Sequence, residues 1–250
     1  MEIYTLAILI VVFFLTSVVG VVTGSNSLIA VPAMFQAGID PKVAVATNMF
    51  GLVFMAIGGT IPFLRQGKLD FRKLSPFIVL TLISSALGAF LVGIISSSGI
   101  KLIVSVAMIA VAIFTLLRHN AGVNPDHHPG RYAVPLTYVL VFLLGIYGGL
   151  FSGGYVTVLT AVCVGIYGMR YTQAVGSTKL INVFSSAIAT LVFMWQGLVD
   201  YKLGLILGAS MFAGAYTGAH YVTRLNDVWL RRIFLTTVFL LAIKTLYDFF

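Results

Sequence analysis

Long apolar runs are the feature of this sequence that most restricts its fold. A hydrocarbon core of about 30 Å is crossed by roughly 20 helical residues, and eight runs approach or reach that length. In lipid, an α-helix satisfies its backbone hydrogen bonds within one segment. The runs therefore predict an all-α polytopic, multi-pass membrane protein. They lie near residues 4–22, 43–64, 74–95, 102–117, 133–151, 173–194, 203–222 and 233–247.

Composition agrees with a surface that mostly faces lipid. Apolar residues make up 60% of the chain and charged residues 9%. The 15 Lys and Arg exceed the 7 Asp and Glu, but they are scattered between apolar runs and form no basic stripe interleaved with aromatics. We therefore expect membrane lipids, and not nucleic acid, as the partners of these charges. Cys163 is the single cysteine, which excludes an internal disulfide and a multi-cysteine metal site.

Two shorter apolar runs, 28–37 and 155–167, each follow a polar stretch rich in Gly and Ser. The first stretch contains Gly24-Ser25-Asn26 and the second contains Ser152-Gly153-Gly154. Neither run is long enough to cross a bilayer easily. We expect broken or re-entrant half-helices that begin at these two breaks.

The chain contains the same unit twice. An ungapped shift of 130 residues places Gly24 on Gly154 and Gly38 on Gly168, and it also aligns Gln66-Gly67 with Gln196-Gly197. Internal repeats of this kind are common in secondary transporters. The predicted organisation is a first membrane repeat at 1–118, a cytoplasmic linker at 119–131 and a second membrane repeat at 132–250.

The distribution of basic residues predicts that the two repeats are inverted. In the first repeat, the loop after the run at 43–64 carries four Lys and Arg. The aligned loop of the second repeat, after the run at 173–194, carries only Lys202. The next loop shows the reverse, with Lys101 in the first repeat and three Arg in the second. Because cytoplasmic loops are enriched in Lys and Arg, equivalent loops should lie on opposite sides. We expect two inverted structural repeats of about five hydrophobic segments each.

Several short motifs together resemble the TauE/SafE sulfite exporter family, also called TSUP. After the first break come Val31-Pro32, Gly38-Ile39-Asp40-Pro41, Ala44-Val45-Ala46-Thr47-Asn48 and Gln66-Gly67-Lys68-Leu69-Asp70. The second half repeats them as Gly168, Ala174-Val175-Gly176-Ser177-Thr178 and Gln196-Gly197-Leu198-Val199-Asp200. The resemblance covers nearly the whole chain. It implies transport of sulfur-containing or organic anions, such as sulfite or sulfoacetate, across the cell (inner or plasma) membrane. Ala46 departs from the family, which usually has Gly before the Thr.

An oxyanion that enters a low-dielectric interior needs hydrogen-bond donors and a compensating cation. The breaks offer main-chain N–H groups, the helices after them offer side-chain donors, and Lys179 lies about two turns into the run at 173–194 with no acid beside it. We expect no catalytic residues, no bound metal and no cofactor. The predicted substrate-binding residues are Gly24, Ser25, Asn26, Thr47, Asn48, Ser152, Gly153, Gly154, Ser177, Thr178 and Lys179.

Each candidate also has a structural interpretation. Ser and Thr within a helix often donate to the carbonyl four residues earlier, and a lysine near a helix end can reach the head groups instead of binding an anion. Gly88 and Gly218 occupy aligned positions where Gly typically allows close helix packing.

The leading hypothesis is a secondary transporter or facilitator that exports a small anion by alternating access between the two halves. The alternatives are a non-transporting membrane subunit or scaffold, and a membrane enzyme. The expected partners are a small anion substrate and membrane lipids, and a homo-oligomer is possible.

Overall fold

A computed structural model describes residues 2–24, 26–65, 71–117 and 132–221. Within these ranges the chain forms helices and no strand, as the apolar runs predict. Ser25, the linker at 119–131 and the run at 233–247 lie outside the described residues. The helices are α1 (Ile3–Thr23), α2 (Ser27–Gln36), α3 (Pro41–Arg65), α4 (Phe71–Ile94), α5 (Ser97–Leu117), α6 (Ala133–Leu150), α7 (Tyr155–Gly165), α8 (Tyr171–Trp195) and α9 (Tyr201–Tyr221).

Six of the described helices (α1, α3, α4, α5, α6 and α8) are long and apolar enough to cross a membrane. Large apolar side chains point outward from them, among them Ile8 and Leu15 on α1 and Leu143 on α6. Ser and Thr side chains are instead buried between helices, as Thr81 and Ser185 are. This distribution is the one expected in lipid, and the prediction of an all-α, multi-pass membrane protein is confirmed.

The two half-helices are present where the sequence predicts them. Helices α2 and α7 contain 10 and 11 residues, so at 1.5 Å per residue each spans about half of the hydrocarbon core. Gly24 and Gly154, the aligned glycines of the two breaks, have φ of 73° and 78°. A side chain strains the backbone in this left-handed region, which explains why both breaks use Gly before a half-helix.

Helix packing has the same pattern in both repeats when α1–α4 are matched with α6–α9. Helix α1 packs against α9, and its counterpart α6 packs against α4. Likewise α3 packs against α9, while α8 packs against α4. Helices α3 and α8, which are counterparts of each other, are in mutual contact. Exchanging the two repeats therefore leaves the set of principal contacts unchanged.

The repeats do not form separate bodies. One hydrophobic cluster is built mainly from α1, α2, α3, α5 and α9, which we term the first bundle, with Leu52 and Leu207 among its members. A second cluster joins α4, α6, α7 and α8, the second bundle, with Phe77, Val141 and Leu159 among its members. Each repeat thus gives one long helix to the bundle of the other: α4 joins the second bundle and α9 the first.

Close packing at the exchanged helices depends on small residues. A Cβ on Gly88 of α4 would collide with the carbonyl oxygen of Ile146 in α6, and a Cβ on the aligned Gly218 of α9 would collide with that of Val18 in α1. The packing role predicted for these two glycines is confirmed. Both repeats therefore use the same position to bring an exchanged helix against its partner.

Candidate functional site

A small cavity lies between the two bundles, where α3 and α8 meet the two breaks. Its volume of about 40 Å³ is room for about three water molecules or one small oxyanion. The apolar part of its wall is formed by Gly20, Leu52, Met55, Ala56, Gly59 and Val156. The polar side chains that line it are Asn26, Ser27, Ser152, Lys179 and Asn182.

The two breaks meet at this cavity. Ser27, the first residue of α2, and Ser152, before α7, share a hydrogen bond with their Oγ atoms 2.8 Å apart. Gly24 lies against the first turn of α7, where an added Cβ would be 2.9 Å from Cβ of Val156. The start of α2 therefore lies beside the residues that lead into α7, although the two serines are 125 positions apart in the chain.

Lys179 supplies positive charge to the cavity. Its side chain is 8% exposed, and Nζ donates to the carbonyl oxygen of Val21 in the last turn of α1. A cation is favoured at that end of a helix, where carbonyls lack intrahelical partners. An ammonium has three N–H donors, so this one bond leaves donor capacity for a ligand.

The carboxylates in the described turns do not line the cavity and are hydrogen-bonded to other groups. Asp40 accepts hydrogen bonds from Ser97 Oγ and from the backbone N–H of Lys42, and Asp200 accepts one from the backbone N–H of Leu203. No charged partner of Lys179 occurs among the residues that the structure describes. The lysine charge is therefore available to compensate an anion in the cavity.

Two asparagines connect the breaks to the surrounding helices. Asn26 Nδ2 donates to Ser17 Oγ at 3.0 Å and to Met55 Sδ at 3.1 Å. Asn48 Nδ2 donates to Ser27 Oγ at 2.8 Å. The side-chain oxygens of both asparagines are buried and have no hydrogen-bond partner within the described part of the chain. The two asparagines therefore join the first break to α1 and α3.

Comparison with known proteins identifies the family. The sulfite exporter TauE/SafE family matches residues 9–245. The chain belongs to this family. No solved structure matches it.

Curated relatives of this TauE/SafE member cover almost its full length. A probable membrane transporter protein, ORF9, of Sinorhizobium sp is 29% identical over 98% of this chain and 94% of its own length. One from Haemophilus influenzae is 26% identical over 97% and 95% of the two chains, and YfcA of Escherichia coli K12 is 25% identical over 97% and 90%. These names support a membrane transporter and not an enzyme.

The structure brings part of the predicted site together in this TauE/SafE member. Gly24, Asn26, Ser152 and Lys179 line the cavity, and Asn48 is joined to it through Ser27. Gly153 and Gly154 shape the second break. The carbonyl of Gly153 accepts a hydrogen bond from the Tyr147 hydroxyl, and Gly154 lies close against Val111 of α5.

Thr47, Ser177 and Thr178 do not line the cavity. Thr47 Oγ1 accepts the backbone N–H of Asp200 at 3.0 Å and so ties the start of α9 to α3. Thr178 shares a hydrogen bond with Thr160 of α7 at 2.9 Å. Ser177 is buried and is absent from the cavity lining. Ser25 lies outside the described residues.

Ser27, Met55 and Asn182 also line the cavity but were not among the predicted substrate-binding residues. Asn182 follows Lys179 by three positions, which places both on one face of α8. A polar pair at this spacing inside an apolar helix was a usable signal. Met55 carries no such signal, because an apolar side chain on α3 is equally suited to packing.

Proposed function

We propose that this TauE/SafE member is a secondary transporter or facilitator that exports a small sulfur-containing or organic anion, sulfite-like or sulfoacetate-like, across the plasma membrane. The observation that carries the proposal is the meeting of the two breaks beside the buried Lys179. Ser27 and Ser152 lie within hydrogen-bond distance, and the lysine lines the same cavity.

The chemistry of the cavity suits an oxyanion. Removing an ion from water costs several kcal/mol even after the protein relaxes, so the site must replace lost hydration. Lys179 offers charge and N–H donors, and the amide of Asn182 adds further donors. The Ser27–Ser152 pair offers the one O–H that their mutual hydrogen bond leaves unused. The small volume favours an anion of only a few heavy atoms.

The position of the cavity supports alternating access. It is lined by α3 of the first bundle and α8 of the second, and these two helices are in contact across the bundle boundary. Rocking of one bundle against the other would open the cavity to one side of the membrane and then to the other. The bodies that rock would be the two bundles with α4 and α9 exchanged, since these share hydrophobic clusters.

Inversion of the repeats gives such rocking two comparable end states. The packing pattern is unchanged when the repeats are exchanged, and the reversed Lys and Arg content of equivalent loops favours opposite orientation in the membrane. The membrane potential supplies about 2.3 kcal/mol per charge per 100 mV to an anion that leaves a negative interior. Export therefore needs no coupled ion.

Efflux of labelled sulfite from proteoliposomes tests the proposal. Lys179→Met is the sharpest variant because Met49 occupies the aligned position in the first repeat, so the repeat itself tolerates this side chain. Loss of the only positive charge among the described cavity residues should reduce efflux at least tenfold, whereas Lys179→Arg should keep part of it. Lys101→Met, on α5 away from the cavity, is the matched control.

One result would contradict the role of Lys179, and a different result would contradict transport of this class of anion. Wild-type efflux that persists in Lys179→Met would remove the lysine from the site. Absence of efflux for sulfite, sulfoacetate and thiosulfate in reconstituted wild-type protein would contradict transport of this class of anion.

A further inference from the structure

We infer that Leu52 is a specificity-determining residue of the cavity, and that the apolar face of α3 to which it belongs makes the site prefer anions with one apolar end over anions that are polar on every side. The inference rests on the proposed anion site and specifies its ligand: an oxyanion head group that carries a methyl or another short alkyl group. It comes from the contrast between the two long helices that meet at the cavity.

Helix α3 presents an apolar face to the cavity. Leu52, Met55, Ala56 and Gly59 line it, and their spacing of three and four positions places them on one face of the helix. No side-chain atom of these residues can donate a hydrogen bond, and main-chain N–H groups inside an α-helix are bonded to the carbonyls four residues earlier. Whichever atoms of α3 border the open space, they offer an anion no donor.

The amide beside this face has no donor left for a ligand. The side-chain nitrogen of Asn26 lies 3.1 Å from Met55 Sδ and 3.0 Å from Ser17 Oγ. An amide nitrogen carries two N–H groups, so these two bonds use both of them. The remaining side-chain donors of the cavity wall are on α8 and at the two hydrogen-bonded serines of the breaks.

Helix α8 has the opposite character. Lys179 and Asn182 line the cavity from this helix, with an ammonium and an amide that can both donate hydrogen bonds to an anion. Asn182 occupies the position that is aligned with Leu52 in the first repeat. Equivalent positions of the two repeats therefore give the cavity one polar and one apolar wall residue.

The repeated unit does not require this face of α3 to be apolar. The positions aligned with Met55 and Ala56 hold Ser185 and Ser186 in α8, and both serines are buried. Together with Asn182, they show that the same helix of the unit accommodates polar side chains at all three positions. Packing within the unit therefore does not account for the apolar character of α3, whereas contact with an apolar part of the ligand does.

A cavity with two such faces discriminates between anions. An oxygen or an N–H group that turns toward α3 loses its hydration and gains no partner, which is costly. An alkyl group that turns toward α3 loses no hydrogen bond, and it is favoured there because its apolar surface leaves water. An anion with one apolar end therefore suits both faces, since its head group can turn toward the donors of α8.

Two monoanions of similar size test the preference. Methanesulfonate and sulfamate share an SO₃⁻ group and differ in bearing CH₃ or NH₂. Calorimetric titration of the purified full-length protein should give a dissociation constant for methanesulfonate at least about tenfold below that for sulfamate. The reason is that only the methyl group can face α3 without losing a hydrogen bond.

Variants then assign the preference to α3. Leu52→Asn introduces the side chain that the second repeat has at this position, and it should bring the ratio of the two dissociation constants to within about twofold of unity. Ala56→Ser is a smaller change that adds one hydroxyl to the same face, and it should lower the ratio at least about twofold. Leu203→Asn is the matched control, because Leu203 is as buried as Leu52 but lies on α9 and does not line the cavity. It should retain the wild-type ratio.

Binding of neither monoanion, equal affinity for both, or tighter binding of sulfamate by the wild type would overturn the inference. A wild-type ratio in Leu52→Asn would overturn the role of Leu52, and if that variant does not fold, an unchanged ratio in Ala56→Ser would overturn the role of the α3 face. The ratio is measured within each protein, so a uniform loss of folded protein does not alter it.

The inference and the proposed function can fail separately. Sulfite efflux that continues while the two monoanions bind equally would overturn the inference and leave the proposed function standing. Preferential binding of methanesulfonate without efflux of any anion would support the inference and contradict the proposed function.

Discussion

A disulfide between the two breaks should stop transport. Ser27 belongs to the first bundle, and Ser152 leads into α7 of the second. Their oxygens are 2.8 Å apart, and the sulfurs of a disulfide are only about 0.8 Å closer than that. The variant Ser27→Cys with Ser152→Cys, in a Cys163→Ala background, should therefore crosslink on oxidation and fix the bundles at the cavity.

The size of the effect follows from the sequence separation. A crosslink across 125 positions removes loop entropy from the unfolded chain worth about 5 kcal/mol at 25 °C. A stabilisation of that size should raise the thermal midpoint of the oxidised protein by about 10 °C or more. Sulfite efflux should fall to the level of empty liposomes after oxidation and return after reduction, because rocking requires the breaks to separate.

A second crosslink provides the matched control. The Oγ atoms of Ser85 on α4 and Ser185 on α8 are 2.7 Å apart and 100 positions apart in the chain. Both helices belong to the second bundle. Ser85→Cys with Ser185→Cys should give a similar thermal stabilisation of about 5 kcal/mol while leaving efflux near the wild-type rate. Full efflux through protein crosslinked between the two breaks would refute the rocking account.

Two further variants test the packing and the residues outside the cavity. Gly88→Ala should lower unfolding stability by about 1–3 kcal/mol, because the new Cβ meets the Ile146 carbonyl. Its thermal midpoint in detergent should fall below that of Gly38→Asn, at a site with open space, and equal midpoints would contradict the packing account. Thr47→Val should cost about 1 kcal/mol of stability by removing the acceptor for the Asp200 N–H. Its KM for sulfite should be unchanged, and a large rise would place Thr47 in the binding site.

The repeat made much of the fold predictable. Gly and polar residues are rare within apolar runs, so their alignment at a shift of 130 residues carried more information than the apolar residues themselves. The aligned pairs Gly24 with Gly154 and Gly38 with Gly168 all adopt positive φ. The half-helices were predictable for the same reason, since each run is too short to span and follows a break.

Contacts between residues far apart in the chain could not be predicted from the sequence. The lysine at 179 was singled out because no acid lies beside it, but its contact with Val21 joins residues 158 positions apart. The exchange of α4 and α9 between the bundles could not be predicted either, because the apolar pattern of a helix does not specify which other helix packs against it. In the sequence, Thr47 and Thr178 cannot be distinguished from residues that donate hydrogen bonds into the cavity. The structure shows that their hydroxyls bond to the start of α9 and to Thr160 of α7 instead.

Anomalous scattering from bound selenite is the most direct test of the central claim, that an anion binds where the two breaks meet Lys179. Selenite has the shape of sulfite, and selenium locates it in crystals of the full-length protein. The account predicts an anomalous peak in the cavity within hydrogen-bond distance of Lys179 Nζ and of Ser27 or Ser152, and no peak there in Lys179→Met crystals. A peak elsewhere in the protein, at a selenite concentration that inhibits sulfite efflux, would contradict it.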